Sequence, residues 1–108
     1  CTLFFVLFYA IYKITGDIDI LILNASIQYR KAWDKIGDEE FDRQIAVNFK
    51  SSLKLIQKYA PYMQKQKWGR VVTVGSVQQA KPHKDMLVYA ATKQIHIFTY
   101  IKEFCAWL

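Results

Sequence analysis

The stretch DIDILILNAS, residues 17–26, decides the fold. Isoleucine and leucine dominate it from Ile18 to Leu23, with Gly16 before the run and Asn24 directly after it. Continuous apolarity, rather than strict alternation, is typical of a strand that is buried on both faces in a parallel sheet. We therefore predict such a strand here, with its polar carboxyl end at Asn24.

A long helix is predicted after the loop that follows this strand. Asp38 is its predicted N-cap, and Glu39 and Glu40 lie in the first turn, where the helix dipole favours negative charge. Seven apolar residues at three- and four-residue steps predict one stripe facing the core: Phe41, Ile45, Phe49, Leu53, Ile56, Ala60 and Met63. Pro61 cannot continue the backbone ladder, so we expect a kink or an end near residues 59–61.

A second strand and a second helix complete the pattern. RVVTV, from Arg70 to Val74, reads as another buried strand, and the last helix is expected to start near Met86. The order strand, helix, strand, helix predicts parallel strands joined by a right-handed crossover, which is an α/β unit. Ligands of such sheets bind beyond the carboxyl ends of the strands.

Four polar residues have predicted places near those strand ends. Ser76 follows the second strand, Tyr89 and Lys93 lie one turn apart on the last helix, and Asn48 lies on the polar side of the long helix. Their separations are 28, 13 and 4 residues in the order Asn48, Ser76, Tyr89, Lys93. This constellation is the candidate site.

The Tyr-x-x-x-Lys spacing alone carries little weight, because Tyr9 and Lys13 have it as well. That pair follows no predicted strand, and none of the 108 residues is a serine 13 positions before Tyr9. The pair at Tyr89 gains its meaning from Asn48 and Ser76.

The whole arrangement resembles the classical short-chain dehydrogenase/reductase family. DILILNAS (19–26) resembles its strand motif D-I-L-V-N-N-A-G, VNF (47–49) resembles V-N-x, and GRVVTVGS (69–76) resembles G-x-I-V-x-x-S-S. With YAATK (89–93), the resemblance extends over about residues 16–97. It implies a partial Rossmann-type fold, a doubly wound parallel sheet, in one unit over residues 1–108.

The resemblance also implies roles for the four residues in hydride transfer between an alcohol and a ketone or aldehyde. A phenol alone is a weak base at neutral pH, and an ammonium one helical turn away stabilises its phenolate. Tyr89 is thus the expected general acid/base and Lys93 its electrostatic partner. Ser76 is expected to hold the substrate oxygen and Asn48 to fix a water that relays protons to Lys93.

The resemblance implies NAD or NADP as the cofactor. Its expected binding residues are Asn24, Ala25 and Ser26 beyond the first strand, together with Tyr89 and with Lys93, which would hydrogen-bond the nicotinamide ribose.

The chain departs from the family at several points. Leu23 stands where the family has asparagine, Ser26 where it has glycine, and Gly75 where it has the first of two serines. No T-G-x-x-x-G-x-G occurs among the 108 residues, which contain only four glycines. We therefore expect a central fragment that lacks the glycine-rich phosphate cradle and the C-terminal substrate region.

Composition limits the other functions. Hydrophobic residues make up 53% of the chain and the formal charge is +6, which argues against disorder and is compatible with an anionic partner. Lys50, Lys54 and Lys58 would form a basic stripe able to grip nucleic acid, but a solvated helix face is favoured because no aromatic residues interleave it. We expect neither a nucleic-acid partner nor a membrane partner.

Neither a bilayer span nor a metal site is expected. The apolar run at residues 1–12 is shorter than the ~20 residues that a spanning helix needs. Cys1 and Cys105 have no second Cys or His at a metal-binding spacing, which favours free thiols in a reducing, cytoplasmic compartment.

Two functions remain open. The first is an NAD(P)-dependent oxidoreductase acting on a small alcohol or carbonyl compound, whose parent enzyme is a homodimer or homotetramer. The second is a truncated, non-catalytic relative that acts through the helices that commonly pair subunits in this family, here at residues 38–59 and in the YAATK helix.

Overall fold

The computed structural model describes residues 16–94. The predictions for the apolar run at 1–12, for the Tyr9–Lys13 pair and for Cys1 and Cys105 lie outside the described residues. Five main elements follow in chain order: β1 (Ile20–Leu23), α1 (Asp38–Ile45), α2 (Ser51–Lys65), β2 (Arg70–Thr73) and α3 (residues 87–94). A π-helical turn, Ala46–Lys50, joins α1 to α2, and short 3-10 helices occupy Trp33–Lys35 and Val77–Gln79.

The two strands are parallel neighbours. Ile20 pairs with Arg70 and Leu23 with Thr73, and the Val74 N–H extends the ladder by donating to the Leu23 carbonyl at 3.1 Å. The expected α/β unit with parallel strands is therefore confirmed. Because both strands run the same way, the residues after Leu23 and after Thr73 emerge at one edge of the sheet.

The core lies between β1 and α2. Leu21 and Leu23 are 6% and 4% exposed and form a cluster with Tyr59 and Met63, which are 4% and 0% exposed. Alternate residues of a strand point to opposite faces, so the other two side chains of β1 point away from α2. This packing holds β1, and with it the loop that follows β1, against the long helix.

The prediction that β1 is buried on both faces is wrong for the described residues. Ile20 is 54% exposed and Ile22 is 62% exposed, and on β2 Val72 is 47% exposed. Burial of the second face requires a second layer, and among residues 16–94 the helix that packs on β1 lies on one side only.

The start and the end of the long helix differ from expectation. Gly37 is the N-cap and Asp38 is the first helical residue, so the predicted N-cap is one residue off, although the acidic first turn is confirmed. The helix also continues past Pro61 to Lys65, so an end at Pro61 is wrong. It stops where Lys67 takes a left-handed φ of 57° and the Trp68 N–H donates to the Met63 carbonyl, a Schellman-type ending.

The buried face of this long helix is partly polar. Four polar residues on it are buried: Gln44, Asn48, Ser51 and Ser52. In the predicted apolar stripe, by contrast, only Ala60 and Met63 are buried, while Phe41 is 45% exposed. The prediction of one core-facing apolar stripe is therefore wrong for its first half. The π-helical turn, where the Ser51 N–H bonds the Ala46 carbonyl, adds a residue and shifts which side chains face inward.

Gly69 allows the turn after α2 to pack on the core. A Cβ there would lie 2.5 Å from Met63 Cγ and 2.6 Å from Met63 Cβ. We expect Gly69→Ala to lower the free energy of unfolding by about 1–3 kcal/mol, because the fully buried methionine cannot move aside freely. Urea denaturation measures this. Gly37→Ala is the control, since nothing lies within 4 Å of its added Cβ, and its loss is expected to be the smaller one because it is limited to the N-cap position; an equal loss in both variants would contradict the packing explanation.

Candidate active site

The four predicted site residues are carried by three different elements. Asn48 lies in the π-helical turn, Ser76 directly precedes the 3-10 helix after β2, and Tyr89 and Lys93 lie on α3. π-helical turns inside α-helices are frequent at functional sites, because they present a side chain that a regular helix would direct elsewhere.

Asn48 is fully buried and joins the loop after β1 to the long helix. Its Oδ1 accepts the Ile27 N–H at 2.7 Å and its Nδ2 donates to the Ile27 carbonyl at 2.8 Å. One amide side chain thus pairs both backbone groups of Ile27, as a neighbouring strand would. Asn48 was expected on the polar side of the long helix; that side also carries Gln44, Ser51 and Ser52 and is buried, with the polar atoms of Asn48 facing this loop.

Thr92 connects Asn48 to the helix of the tyrosine. The second Nδ2 hydrogen of Asn48 is directed to Thr92 Oγ1 at 3.1 Å, and that hydroxyl donates to the Tyr89 carbonyl at 2.8 Å. Thr92 is 0% exposed. Sequence reasoning missed it; the one available signal was a threonine next to the lysine inside YAATK.

Lys93 is buried beside Tyr89, as the helical spacing predicts. Its exposure is 2% and that of Tyr89 is 9%, and Lys93 Nζ lies 5.6 Å from the centroid of the Tyr89 ring. A cation at this distance over an aromatic face is attracted by the ring. Nζ also donates to the Val74 carbonyl at 3.2 Å, which connects the end of β2 to α3.

Ser76 caps the short 3-10 helix that follows it. Its Oγ accepts the Gln78 N–H at 3.2 Å, and its own N–H donates to Gln79 Oε1 at 3.0 Å. A hydroxyl that accepts from the backbone keeps its proton for another acceptor. The side chain is thereby placed to donate a hydrogen bond.

Hydrogen bonds made by two further residues connect the four predicted site residues. Thr92 joins Asn48 to the Tyr89 backbone, and Gln79 joins Ser76 to the carbonyl of Lys93. These bonds connect the three elements that carry the four predicted site residues, near the carboxyl ends of the strands. Hydrogen bonding by Gln79 was not anticipated from the sequence.

The predicted cofactor residues after β1 are open to solvent. Asn24, Ala25 and Ser26 are all exposed and follow the carboxyl end of that strand. This is the edge of a parallel sheet where ligands bind. Their role in binding stays a prediction.

The two loops beyond the strands are also joined to each other. The Lys31 N–H donates to the Asp85 carbonyl at 2.9 Å, and Arg30 Nη2 lies 3.2 Å from Nε2 of His83. Lys31 additionally forms an ion pair with Glu40 at 2.6 Å. These contacts join the loop after β1 to the segment that precedes α3 and to α1.

A pocket beside α1 contains none of the four predicted site residues. It is lined by Tyr29, Glu39, Glu40 and Arg43. The Arg43 guanidinium donates to the Tyr29 hydroxyl at 3.4 Å, and this bond, with the nearby Glu39 carboxylate, raises the pKa of Arg43 above its ordinary value.

Residues 16–94 contain neither a candidate metal site nor a candidate membrane span. No group of three or more His, Cys, Asp or Glu side chains in this part of the chain is placed to hold a metal ion. Nor does any helix in the same range have the length and apolarity that a bilayer crossing requires.

Comparison with known proteins agrees with this geometry. A family model described as short chain dehydrogenase matches residues 6–99. The chain is 38% identical over 77 residues to a D-beta-hydroxybutyrate dehydrogenase of Rhizobium meliloti, covering 69% of this chain and 30% of that protein. It is 36% identical over 78 residues to a 3-oxoacyl-[acyl-carrier-protein] reductase of Thermotoga maritima, covering 72% and 32%.

A solved structure matches as well. The 3-oxoacyl (acyl-carrier-protein) reductase of Agrobacterium tumefaciens, with NADP bound, has a TM-score of 0.82 and 31% identity, covering 91% of this chain and 38% of that one. The chain spans about a third of the length of the curated relatives that it matches, with 32%, 30% and 37% for three of them.

Proposed function

Because this chain belongs to the short chain dehydrogenase family, we propose that it forms the central part of an NAD(P)-dependent oxidoreductase that interconverts an alcohol and a ketone or aldehyde. The observation that carries the proposal is the buried ammonium of Lys93 over the ring of Tyr89, next to the strand end that leads to Ser76.

Tyr89 would move the proton. When bound, the nicotinamide supplies or accepts the hydride at the substrate carbon. In the reducing direction the Tyr89 hydroxyl gives its proton to the carbonyl oxygen, and in the oxidising direction the phenolate takes the proton of the alcohol. Lys93, whose Nζ lies 5.6 Å from the centroid of the Tyr89 ring, is its electrostatic partner in this proposal.

Ser76 would orient the substrate oxygen. Its Oγ accepts the Gln78 N–H, so its own proton is directed at the substrate carbonyl and stabilises charge that develops there. Donation from Ser76 and from Tyr89 to one oxygen would fix the carbonyl between them, which is the orientation that hydride transfer at the adjacent carbon needs.

Asn48 would support the proton path. Both hydrogens of its Nδ2 are directed at protein acceptors, Ile27 and Thr92. A relay water leading to Lys93 would therefore have to donate to an oxygen of Asn48. In this proposal Asn48 both holds the loop after β1 and serves the water.

The residues present fit one end of the cofactor. The exposed Asn24, Ala25 and Ser26 lie beyond β1, and Lys93 offers an ammonium that would bond the nicotinamide ribose. NAD and NADP both remain candidates, and NADP is bound in the similar reductase of Agrobacterium tumefaciens. The glycine-rich cradle for the pyrophosphate is not among these 108 residues.

NADH binding to the 108-residue chain tests the cofactor part of this proposal. We expect weak binding without saturation, because the pyrophosphate has no cradle here, and the measurement is nicotinamide fluorescence during titration. Tight, saturable binding would contradict the expectation that NADH binding requires a glycine-rich cradle for the pyrophosphate. The chemical part is tested by Tyr89→Phe, as argued in the Discussion.

A second candidate function is subunit pairing without catalysis. Apolar side chains on α1 and the following turn stay partly accessible, with Phe41 45% exposed and Ile45 and Phe49 half-buried. Such a surface suits a homodimer or homotetramer. Dimerisation measured by sedimentation that Tyr89→Phe leaves unchanged, in a protein without turnover, would favour this reading.

The proposed partners are small molecules. Lys50, Lys54 and Lys58 are all exposed on the long helix, and no aromatic side chains interleave them in the sequence, so a nucleic-acid partner is not proposed. We also propose a cytoplasmic location, because two cysteines without a pairing pattern suit a reducing compartment. No membrane partner is part of the proposal.

A further inference from the structure

One glutamine side chain links the candidate substrate serine to the helix of the tyrosine and lysine. Gln79 Oε1 accepts the Ser76 N–H at 3.0 Å, and Gln79 Nε2 donates to the Lys93 carbonyl at 2.5 Å. The first bond belongs to a capping box at the start of the 3-10 helix. The second leaves that helix and reaches across to α3.

The link depends on the glycine that precedes the serine. A Cβ at Gly75 would lie 2.5 Å from Gln79 Oε1, the atom that accepts the Ser76 N–H. Real Cβ atoms do not approach an oxygen so closely, so any side chain at position 75 must displace the glutamine amide. Gly75 is also the position at which this chain departs from the Ser-Ser pattern that it otherwise resembles.

We propose that Gln79 is a positioning residue that sets Ser76 against Tyr89 and Lys93, and that Gly75 is required because it leaves room for the Gln79 amide. The catalytic consequence rests on the proposed function, whereas the link itself is a matter of hydrogen bonding. Two reacting groups on separate elements need such a connection, because a displacement of about 1 Å can cost roughly 100-fold in rate.

The geometry explains why this connection is effective. Ser76 is held at three polar groups: its N–H by Gln79 Oε1, its Oγ by the Gln78 N–H and its carbonyl by the Gln79 N–H. Lys93 is held at its carbonyl by Gln79 and at Nζ by Val74, which lies two residues before Ser76. Two hydrogen bonds therefore join the segment from Val74 to Gln79 to α3. One runs from Lys93 Nζ to the Val74 carbonyl, and the other runs from Gln79 Nε2 to the Lys93 carbonyl.

Hydrogen exchange at the Ser76 amide tests the link without requiring activity. Gln79→Ala is expected to speed this exchange roughly fivefold or more, the effect of one lost hydrogen bond. Gln79→Glu keeps the acceptor for the Ser76 N–H but cannot donate to the Lys93 carbonyl, so exchange at Ser76 should be slower than in Gln79→Ala. Gln78→Ala is the matched control, because the Gln78 side chain accepts the His83 N–H instead, and exchange at Ser76 should stay within twofold of the original.

The glycine is tested in the same measurement. Gly75→Ser should speed exchange at Ser76 as Gln79→Ala does, and Gly75→Ser combined with Gln79→Ala should add little further. Additive effects of the two substitutions would show that position 75 acts independently of the glutamine, and would overturn that part of the proposal.

Turnover by the enzyme that contains this chain separates positioning from stability. Gln79→Ala should lower kcat roughly tenfold or more, with the KM for the nicotinamide cofactor changed less than twofold. If exchange responds but the original enzyme reduces no carbonyl compound, the proposed function fails and the link stands. If exchange at Ser76 does not respond to Gln79→Ala, the proposal for Gln79 is wrong whatever the turnover.

Discussion

Asn48→Ala is expected to lower the free energy of unfolding by about 3–5 kcal/mol. Asn48 is 0% exposed, and its loss removes at least three hydrogen bonds within the described residues, two to the Ile27 backbone and one to Thr92. Each buried partner left without a hydrogen bond costs about 1–3 kcal/mol. For a small domain with a total stability of about 5–15 kcal/mol, this is a large fraction.

Urea denaturation followed by circular dichroism measures the effect. Lys50→Ala is the control in the same π-helical turn, and because Lys50 is exposed it should change stability by less than about 0.5 kcal/mol. Asn48→Asp should also be strongly destabilising, since a carboxylate cannot donate to the Ile27 carbonyl. An Asn48→Ala loss below about 1 kcal/mol would mean that the loop after β1 does not depend on this amide.

Tyr89→Phe is expected to lower turnover of the proposed enzyme by about 10²–10⁴-fold, the usual contribution of a general acid/base. The substitution removes one oxygen and retains the ring over which Lys93 Nζ lies at 5.6 Å. The cation–ring contact and the packing of α3 should survive, so the loss would report on the hydroxyl.

Nicotinamide absorbance with an alcohol or carbonyl substrate measures turnover in this comparison, and thermal unfolding verifies that both proteins are folded. Tyr62→Phe removes a phenolic oxygen from a half-buried residue on α2 and is the matched control, with turnover expected to stay within twofold. Retention of more than a tenth of the turnover by Tyr89→Phe would exclude Tyr89 as the proton donor.

Several features were predictable because their causes are local. The β1 stretch is a run of large apolar residues between polar ends, and it forms a strand wherever a sheet is available. The acidic first turn of α1 and the one-turn spacing of Tyr89 and Lys93 follow from helix geometry alone. These signals do not depend on what the rest of the chain does.

Other features were predicted wrongly or incompletely. Asn48 was expected on a polar helix face, but the sequence did not show that this face is buried against the loop after β1, where the Ile27 N–H and carbonyl pair with its amide. Pro61 was expected to kink or end the helix near residues 59–61; the helix does not end there, because α2 continues to Lys65 and stops in a Schellman-type turn.

The order of residues alone predicts the parallel α/β unit, the family resemblance and the four candidate side chains. Each of these depends on spacings within one element or on the succession of elements. Packing decides how those side chains are held. Thr92 Oγ1 donates to the Tyr89 carbonyl, and Gln79, beside Gly75, accepts the Ser76 N–H and donates to the Lys93 carbonyl. A hydrogen bond between two elements requires their relative orientation. That orientation exists only once β1, β2 and the helices have assembled.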